Sequence, residues 1–253
     1  MKQFFTRMIA APRKFVRWWW NGKTGRAPWI RRILGLLFQI FVLLPLLLIV
    51  AFRFLPVPFS ANMVLDLLGG SAVHYSWREG SAIAPALGRA VIASEDQRFC
   101  SHNGFDWKSI DDALREHKRH PARPLRGAST ISQQTARSLF LSPERSWLRK
   151  GIEAYVTILL EALWPKPRIL TVYLNLADWG HGNFGAEAAA QAYFRKPAAA
   201  LSPYQAARLA AVLPDPDIWR AVKPGPYVAQ RTATILARMG EVRRDGLDAC
   251  VRR

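Results

Sequence analysis

The stretch WLRKGIEAYVTILLEALW, residues 147–164, decides how the rest of the chain is read. Ile152, Tyr155, Val156, Leu159, Leu160 and Leu163 recur at helical spacing, which predicts one long amphipathic helix with these side chains inward. Pro165 and Pro167 end it, because proline lacks the amide donor that a continuing helix needs. Further along, Ser202, Pro203 and Gln205 occupy the N-cap, N1 and N3 positions of another helix and predict a capping box. Upstream, Leu87, Ala90, Val91, Ala93 and Ser94 form a stripe that runs into Glu95. Trp107, Ile110 and Leu114 mark a short amphipathic helix, and the basic, proline-broken run REHKRHPARPLRG, residues 115–127, is expected to be a mobile loop. Few runs alternate with period two, so a parallel sheet is not expected. The fold class is mainly α, in one domain over residues 81–253, without internal repeats.

Before that domain lies ILGLLFQIFVLLPLLLIVAF, residues 33–52, twenty residues without a charge. At helical rise this matches the hydrocarbon thickness of a bilayer, and Pro45 inside it is tolerated. A secretory apolar region is usually shorter, and no small-x-small cleavage site follows. Residues 1–32 carry nine Lys/Arg and no acid, half of the formal net charge of +18. Basic flanks stay in the cytoplasm, which predicts a single-pass anchor with its N-terminus inside and the domain outside. Trp18, Trp19, Trp20 and Trp29 suit an aromatic belt on the basic side. Residues 53–80, with Pro56, Pro58, Gly69, Gly70 and Gly80, read as a juxtamembrane connector. Outside the cytoplasm Cys100 and Cys250 could pair, and free buried thiols are an equal expectation.

Three motif matches fail on context. Gly180-His181-Gly182-Asn183-Phe184-Gly185 satisfies G-x-G-x-x-G, but βαβ alternation is missing and no acid occurs between Glu187 and Asp215. Lys23-Thr24-Gly25 lies on the cytoplasmic side, and no S-x-x-K accompanies it. His117 and His120 lack the Cys or acidic neighbours of a zinc site. A strongly basic chain implies an anionic partner, and an exported domain argues against nucleic acid.

In SEDQRFCSHNGFDW, residues 94–107, Glu95 and Asp96 end the apolar stripe, and by themselves they read as a surface cluster paired with Arg98 or as carboxylates with a chemical role. RGASTISQQTAR, residues 126–137, is dense in small hydroxyl and amide groups suited to a polar ligand, although a polar loop and helix cap would look the same. Arg137, Arg145, Arg149 and Lys150 form a cationic series, and Arg149 and Lys150 share a helix surface with Glu153. Guanidinium groups bind phosphate oxygens bidentately.

These residues resemble the peptidoglycan glycosyltransferases, the family that also supplies the polymerising half of class A penicillin-binding proteins. Glu95-Asp96-x-x-Phe99-x-x-His102-x-Gly104 is similar to its first motif, Gly127-x-Ser129-Thr130-Ile131-Ser132-Gln133-Gln134 to its second and Arg149-Lys150-x-x-Glu153 to its third. Tyr173-Leu174-Asn175, Gly180, Gly185 and Tyr193-Phe194-x-Lys196 resemble the fourth. The resemblance covers residues 84 to about 220, and with the single anchor it suggests the monofunctional biosynthetic type. It implies a lysozyme-like, mainly α fold behind one transmembrane helix, an inner-membrane location with a periplasmic catalytic domain, and lipid II and the growing glycan chain as partners. It further implies that Glu95 is the general base and Glu153 a second essential carboxylate near the pyrophosphate. Arg137, Arg145, Arg149 and Lys150 would hold the pyrophosphate, and Ser129, Thr130, Gln133 and Gln134 would orient sugar or phosphate. Arg137 stands where the family usually has lysine, Thr171 where a glutamate often follows Ile-Leu, and Gln205 where an acid is common. The family's activity is often helped by a divalent ion such as Mg2+; no cofactor is obligatory, and the sequence offers no metal cage. Other cell-wall synthesis or division proteins are expected partners, as are membrane lipids, with Trp107, Ile110, Leu114 and the basic 115–126 stretch touching the bilayer. Two other functions fit parts of the pattern: a peptidoglycan-cleaving lytic transglycosylase or muramidase with Glu95 as acid, and a non-enzymatic cell-wall scaffold.

Overall fold

The computed structural model describes residues 28–122, 127–144 and 146–252. The chain divides into two units, Met1–Ala51 and Phe52–Arg253. In chain order the helices are α1 (Pro28–Phe38), α2 (Leu44–Phe52), α3 (Ala61–Leu68), α4 (Pro85–Glu95), α5 (Trp107–Arg119) and α6 (Ile131–Phe140). They continue with α7 (Trp147–Leu163), α8 (Lys166–Leu176), α9 (Gly185–Phe194), α10 (Pro203–Val212) and α11 (Pro226–Arg244). Two strands of two residues each, β1 (His74–Tyr75) and β2 (Asn183–Phe184), pair in parallel.

In the first unit α1 passes through a π-helical segment, Gln39–Leu43, into α2. The resulting helix, Trp29–Phe52, is 24 residues long and apolar enough to cross a membrane. It starts before the expected residue 33 and spans about 36 Å, more than the hydrocarbon core of about 30 Å. The π segment has a cause in Pro45, which cannot donate back along the ladder and crowds the preceding turn. The turn widens, so that the Leu44 N–H reaches five residues back to the Gln39 carbonyl. Residues 1–27, with Trp18, Trp19, Trp20 and the Lys23-Thr24-Gly25 triplet, lie outside the described residues.

In the second unit α8 is central, with Ile169–Leu176 buried around its whole circumference. It packs on α6 and α9, and α7 covers α6. A neighbouring layer joins α4, α10 and α11. Ala206, Ala207, Ala210 and Ala211 of α10 are fully buried, and their small side chains let backbones approach closely while Leu87, Val91 and Ile92 of α4 fill the interface. The expected capping box of α10 forms: the Ser202 hydroxyl accepts the Gln205 N–H at 3.2 Å and the Gln205 side-chain Oε1 accepts the Ser202 N–H at 3.0 Å.

Three local expectations are corrected. Residues 53–80 are not a bare connector, since they hold α3 and β1, and Asn175 clamps Arg78 by accepting its N–H and donating to its C=O, each at 2.8 Å. The run 115–127 is helical as far as Arg119: Arg115 pairs with Asp111 at 2.7 Å, and His117, Lys118 and Arg119 complement the negative end of the helix dipole. Pro121 then disfavours helical backbone at His120. On α7 the buried residues are Glu153, Val156, Thr157 and Leu160, whereas Tyr155, expected inward, is exposed.

The glycines of the rejected dinucleotide motif have a backbone role. Gly180 and Gly185 have φ of 92° and 85°, and a Cβ there would lie 2.1 Å from the Pro216 carbonyl oxygen and 2.5 Å from that of Asn175. The cysteine question is also resolved, since Cys100 and Cys250 form a disulfide.

Candidate active site

Glu95 is the last residue of α4, and the helix stops because Asp96 turns to φ −159°, ψ 75°. Asp96 is buried and occupied within the fold. Its Oδ1 lies 3.0 Å from His102 Nε2, and its Oδ2 accepts the Ile131 N–H at 3.0 Å. That amide is one of the unpaired donors at the N-terminus of α6, where a carboxylate is favoured. Asp96 thus fastens the end of α4 to the start of α6 and leaves the neighbouring carboxylate free to face outward.

The Glu95 carboxylate has two neighbours of opposite kind. Its Oε2 accepts from Gln134 Nε2 at 3.2 Å, and its Oε1 lies 3.7 Å from Arg231 Nη2. The Tyr173 hydroxyl donates to Gln134 Oε1 at 3.3 Å, which turns the amide so that its NH2 faces Glu95. Burial pushes the Tyr173 hydroxyl well above its ordinary pKa, with the Glu95 charge adding to it, so Tyr173 stays a neutral donor. Burial also raises the Glu95 pKa, opposed by the Gln134 hydrogen bond and the charges of Arg231 and Arg137. A carboxylate partly stripped of water, yet kept ionisable by nearby cations, has the properties of a general base.

Glu95 borders a cavity of about 180 Å³ that Asp96, Arg98, Ser109, Asp112, Glu116, Gly127, Ser129, Thr130 and Arg238 also line. Of the expected substrate contacts, Ser129 and Thr130 therefore share the cavity with Glu95, and Gln134 touches Glu95 directly. Thr130 and Gln133 are buried and form the capping box of α6, at 3.2 Å and 3.0 Å, and the Thr130 hydroxyl donates to the Gly104 carbonyl at 2.7 Å. Those two side chains shape the site from behind.

Arg149, Lys150 and Glu153 form a second cluster on α7, and none of them lines that cavity. Glu153 is 1% exposed, accepts from Arg149 Nη1 at 2.9 Å and pairs with Lys150. A carboxylate so buried and doubly paired positions its two cations, and Lys150 remains partly exposed. Arg137 belongs to the Glu95 side, where its charge acts on the Glu95 carboxyl, and it sits on α6, the helix that packs on α7. Arg145 lies outside the described residues. Among the described residues no group of three His, Cys, Asp or Glu side chains is arranged to hold a metal ion.

Arg231 and Arg238 were missed in the sequence. They sit on α11, far along the chain from Glu95, and nothing in a helical pattern distinguishes an arginine that edges a cleft from one in water.

The model of a transglycosylase family matches residues 62–240. A protein of Rhodospirillum centenum is 51% identical over 223 residues, covering 88% of this chain and 95% of the relative. One of Caulobacter vibrioides is 47% identical over 222 residues, covering 88% and 96%, and one of Pasteurella multocida 50% identical over 210 residues, covering 80% and 85%. All three are called biosynthetic peptidoglycan transglycosylase.

Proposed function

Because the chain belongs to the transglycosylase family, we propose that it polymerises lipid II into linear glycan strands by inverting glycosyl transfer and releases undecaprenyl pyrophosphate. It is a peptidoglycan glycosyltransferase. The observation that carries the catalytic assignment is the half-buried Glu95 carboxylate between Gln134 and Arg231 at the rim of a cavity. Glu95 takes the proton from the acceptor's GlcNAc 4-hydroxyl. The oxygen attacks C1 of the donor chain from the face opposite the leaving group, the new C–O bond forms, and the bond from C1 to pyrophosphate breaks. Pyrophosphate departs as a stabilised anion, so no acid need protonate it, in contrast to a glycosidase. Arg137, Arg149 and Lys150 neutralise the charge that develops on it, and Glu153 keeps the latter two in place.

The same reading puts the enzyme in the inner membrane with its catalytic domain periplasmic. The Trp29–Phe52 helix supports the anchor, and the Cys100–Cys250 disulfide supports an oxidising compartment. Membrane lipids contact the domain as well. Supporting this are Trp107 and Leu114, both exposed on α5, and Trp147, Leu148, Tyr155 and Ile158, all exposed on α7.

Purified full-length protein incubated with lipid II, and separately with isolated sacculi, tests the reading. The expected result is polymer and free polyprenyl pyrophosphate from lipid II. Glu95→Gln abolishes turnover while lipid II binding persists. Muropeptides released from sacculi, with no polymer from lipid II, overturn it in favour of a cleaving enzyme. Turnover undiminished in Glu95→Gln removes the assigned base.

A further inference from the structure

The helix that brings Arg231 to Glu95 continues to a second, unassigned cavity. Val228, Thr232, Ile235, Met239 and Val242 form the buried stripe of α11. Tyr227, Arg231, Thr234 and Arg238 precede four of these by one position each and so follow one edge of that stripe. Arg231 reaches Glu95 and Arg238 lines its cavity. Tyr227, one turn or about 6 Å before Arg231, lines the other cavity, of about 220 Å³, with Ile218, Trp219, Arg220 and Pro226.

The Trp219 and Tyr227 rings pack on each other in a tilted pair, centroids 5.0 Å apart at 54°, with Trp219 half-buried and Tyr227 57% exposed. The loop presenting them is held firmly. The Trp219 N–H donates to the Asp215 carbonyl at 2.9 Å, the His181 N–H donates to Asp217 Oδ1 at 2.9 Å, and Pro214, Pro216, Pro224 and Pro226 restrict the backbone. Arg220 and Lys223 are exposed on the same loop. An exposed aromatic ring braced by a second one suits the C–H faces of pyranose rings, and adjacent cations suit carboxylates hanging from the sugars.

We propose that Trp219 and Tyr227 form a stacking platform for the carboxylate-bearing glycan strand, one helical turn from the Arg231–Glu95 pair. The occupant is identified by continuity with the Glu95 cleft along α11 and by charge, so the assignment rests on the polymerase reading. The platform holds the strand's sugars by stacking while Arg220 and Lys223 attract its lactyl and peptide carboxylates. It makes no bond and breaks none.

Saturation-transfer NMR of full-length protein with soluble, uncrosslinked peptidoglycan glycan strands tests binding without requiring turnover. Transfer to sugar protons is expected in the wild type. Affinity falls by about tenfold or more in Tyr227→Ala, is retained in Tyr227→Phe and falls in Arg220→Glu. Thermal melting confirms that each variant folds. Wild-type protein that does not bind the strands, or Tyr227→Ala that binds them as tightly as wild type, overturns the platform. A wild type that binds strands but makes no polymer from lipid II overturns the polymerase reading and leaves the platform standing. In the active enzyme, Tyr227→Ala shortens the polymer on gels, and an unchanged length distribution counts against the proposal.

Discussion

At the scale of single residues, Glu95 combines two opposing effects whose balance can be measured. Burial raises its pKa above the ordinary carboxylate value, and Gln134, Arg231 and Arg137 pull it back. In the base role proposed for Glu95 the carboxylate works only when ionised, so activity is expected to rise with pH through the Glu95 pKa. Replacing Arg231 by Met removes a cation 3.7 Å from Oε1, raises that pKa and moves the acid limb of the pH–rate profile to higher pH. An acid limb that stays in place, with only KM changed, would mean that Arg231 serves substrate binding and not the base. The same shift has a consequence for stability with a definite sign. A carboxylate whose folded pKa exceeds its unfolded value binds protons more tightly in the folded state, so its contribution declines as pH rises from the unfolded towards the folded pKa. Glu95→Gln is therefore expected to melt no lower than wild type at pH 7 while losing turnover. Glu95 was legible because its evidence is local, namely a helical stripe ending in a carboxylate pair followed by Phe99, His102 and Gly104. Arg231 was not, because its role comes from the packing of α11 on α4.

At the scale of elements, boundaries were easier to read than faces. Pro165 ends α7 where expected, and Ser202 starts α10, because capping and proline chemistry act within a few residues. On α7 Val156 and Leu160 are buried as expected and Tyr155 alone of the six is exposed, because the helix is apolar on two sides. Period alone cannot say which apolar stripe meets protein, and the buried one includes Glu153 and Thr157. Their polar atoms are satisfied by Arg149, Lys150 and the helix's own backbone, so burial is tolerated. The other stripe, with Trp147 93% and Ile158 58% exposed, is too apolar for an ordinary wet surface. A spin label at position 158, in full-length protein reconstituted in liposomes, is expected to collide with oxygen dissolved in lipid in preference to an aqueous nickel chelate. The opposite preference would show that this face meets water or another protein.

At the scale of the whole molecule, long-range ties decide what the sequence left open. Twenty uncharged residues between arginines made the long apolar helix plain, yet two cysteines 150 positions apart carried no sign that they meet. Their pairing joins the C-terminal segment to the turn Phe99–Ser101, beside the His102 that holds Asp96 and hence the end of α4. Asp248 reinforces the closure, bonding Arg89 at 3.0 Å and Arg252 at 2.6 Å. A crosslink of this span removes much unfolded-chain entropy, about 5 kcal/mol in the loop-closure model, as an upper figure. For a domain of this size that corresponds to a fall in melting temperature on the order of 10 °C on reduction. The Cys100→Ser/Cys250→Ser double variant should show the same fall without reductant. Because Cys100 lies four residues from Asp96 along the chain, lipid II turnover should decline in the reduced enzyme below its melting point, through loosening of the Asp96–His102 contact. Melting curves that coincide with and without reductant would show that helix packing alone closes the fold, and the disulfide would then have no part in holding Glu95 at the cleft.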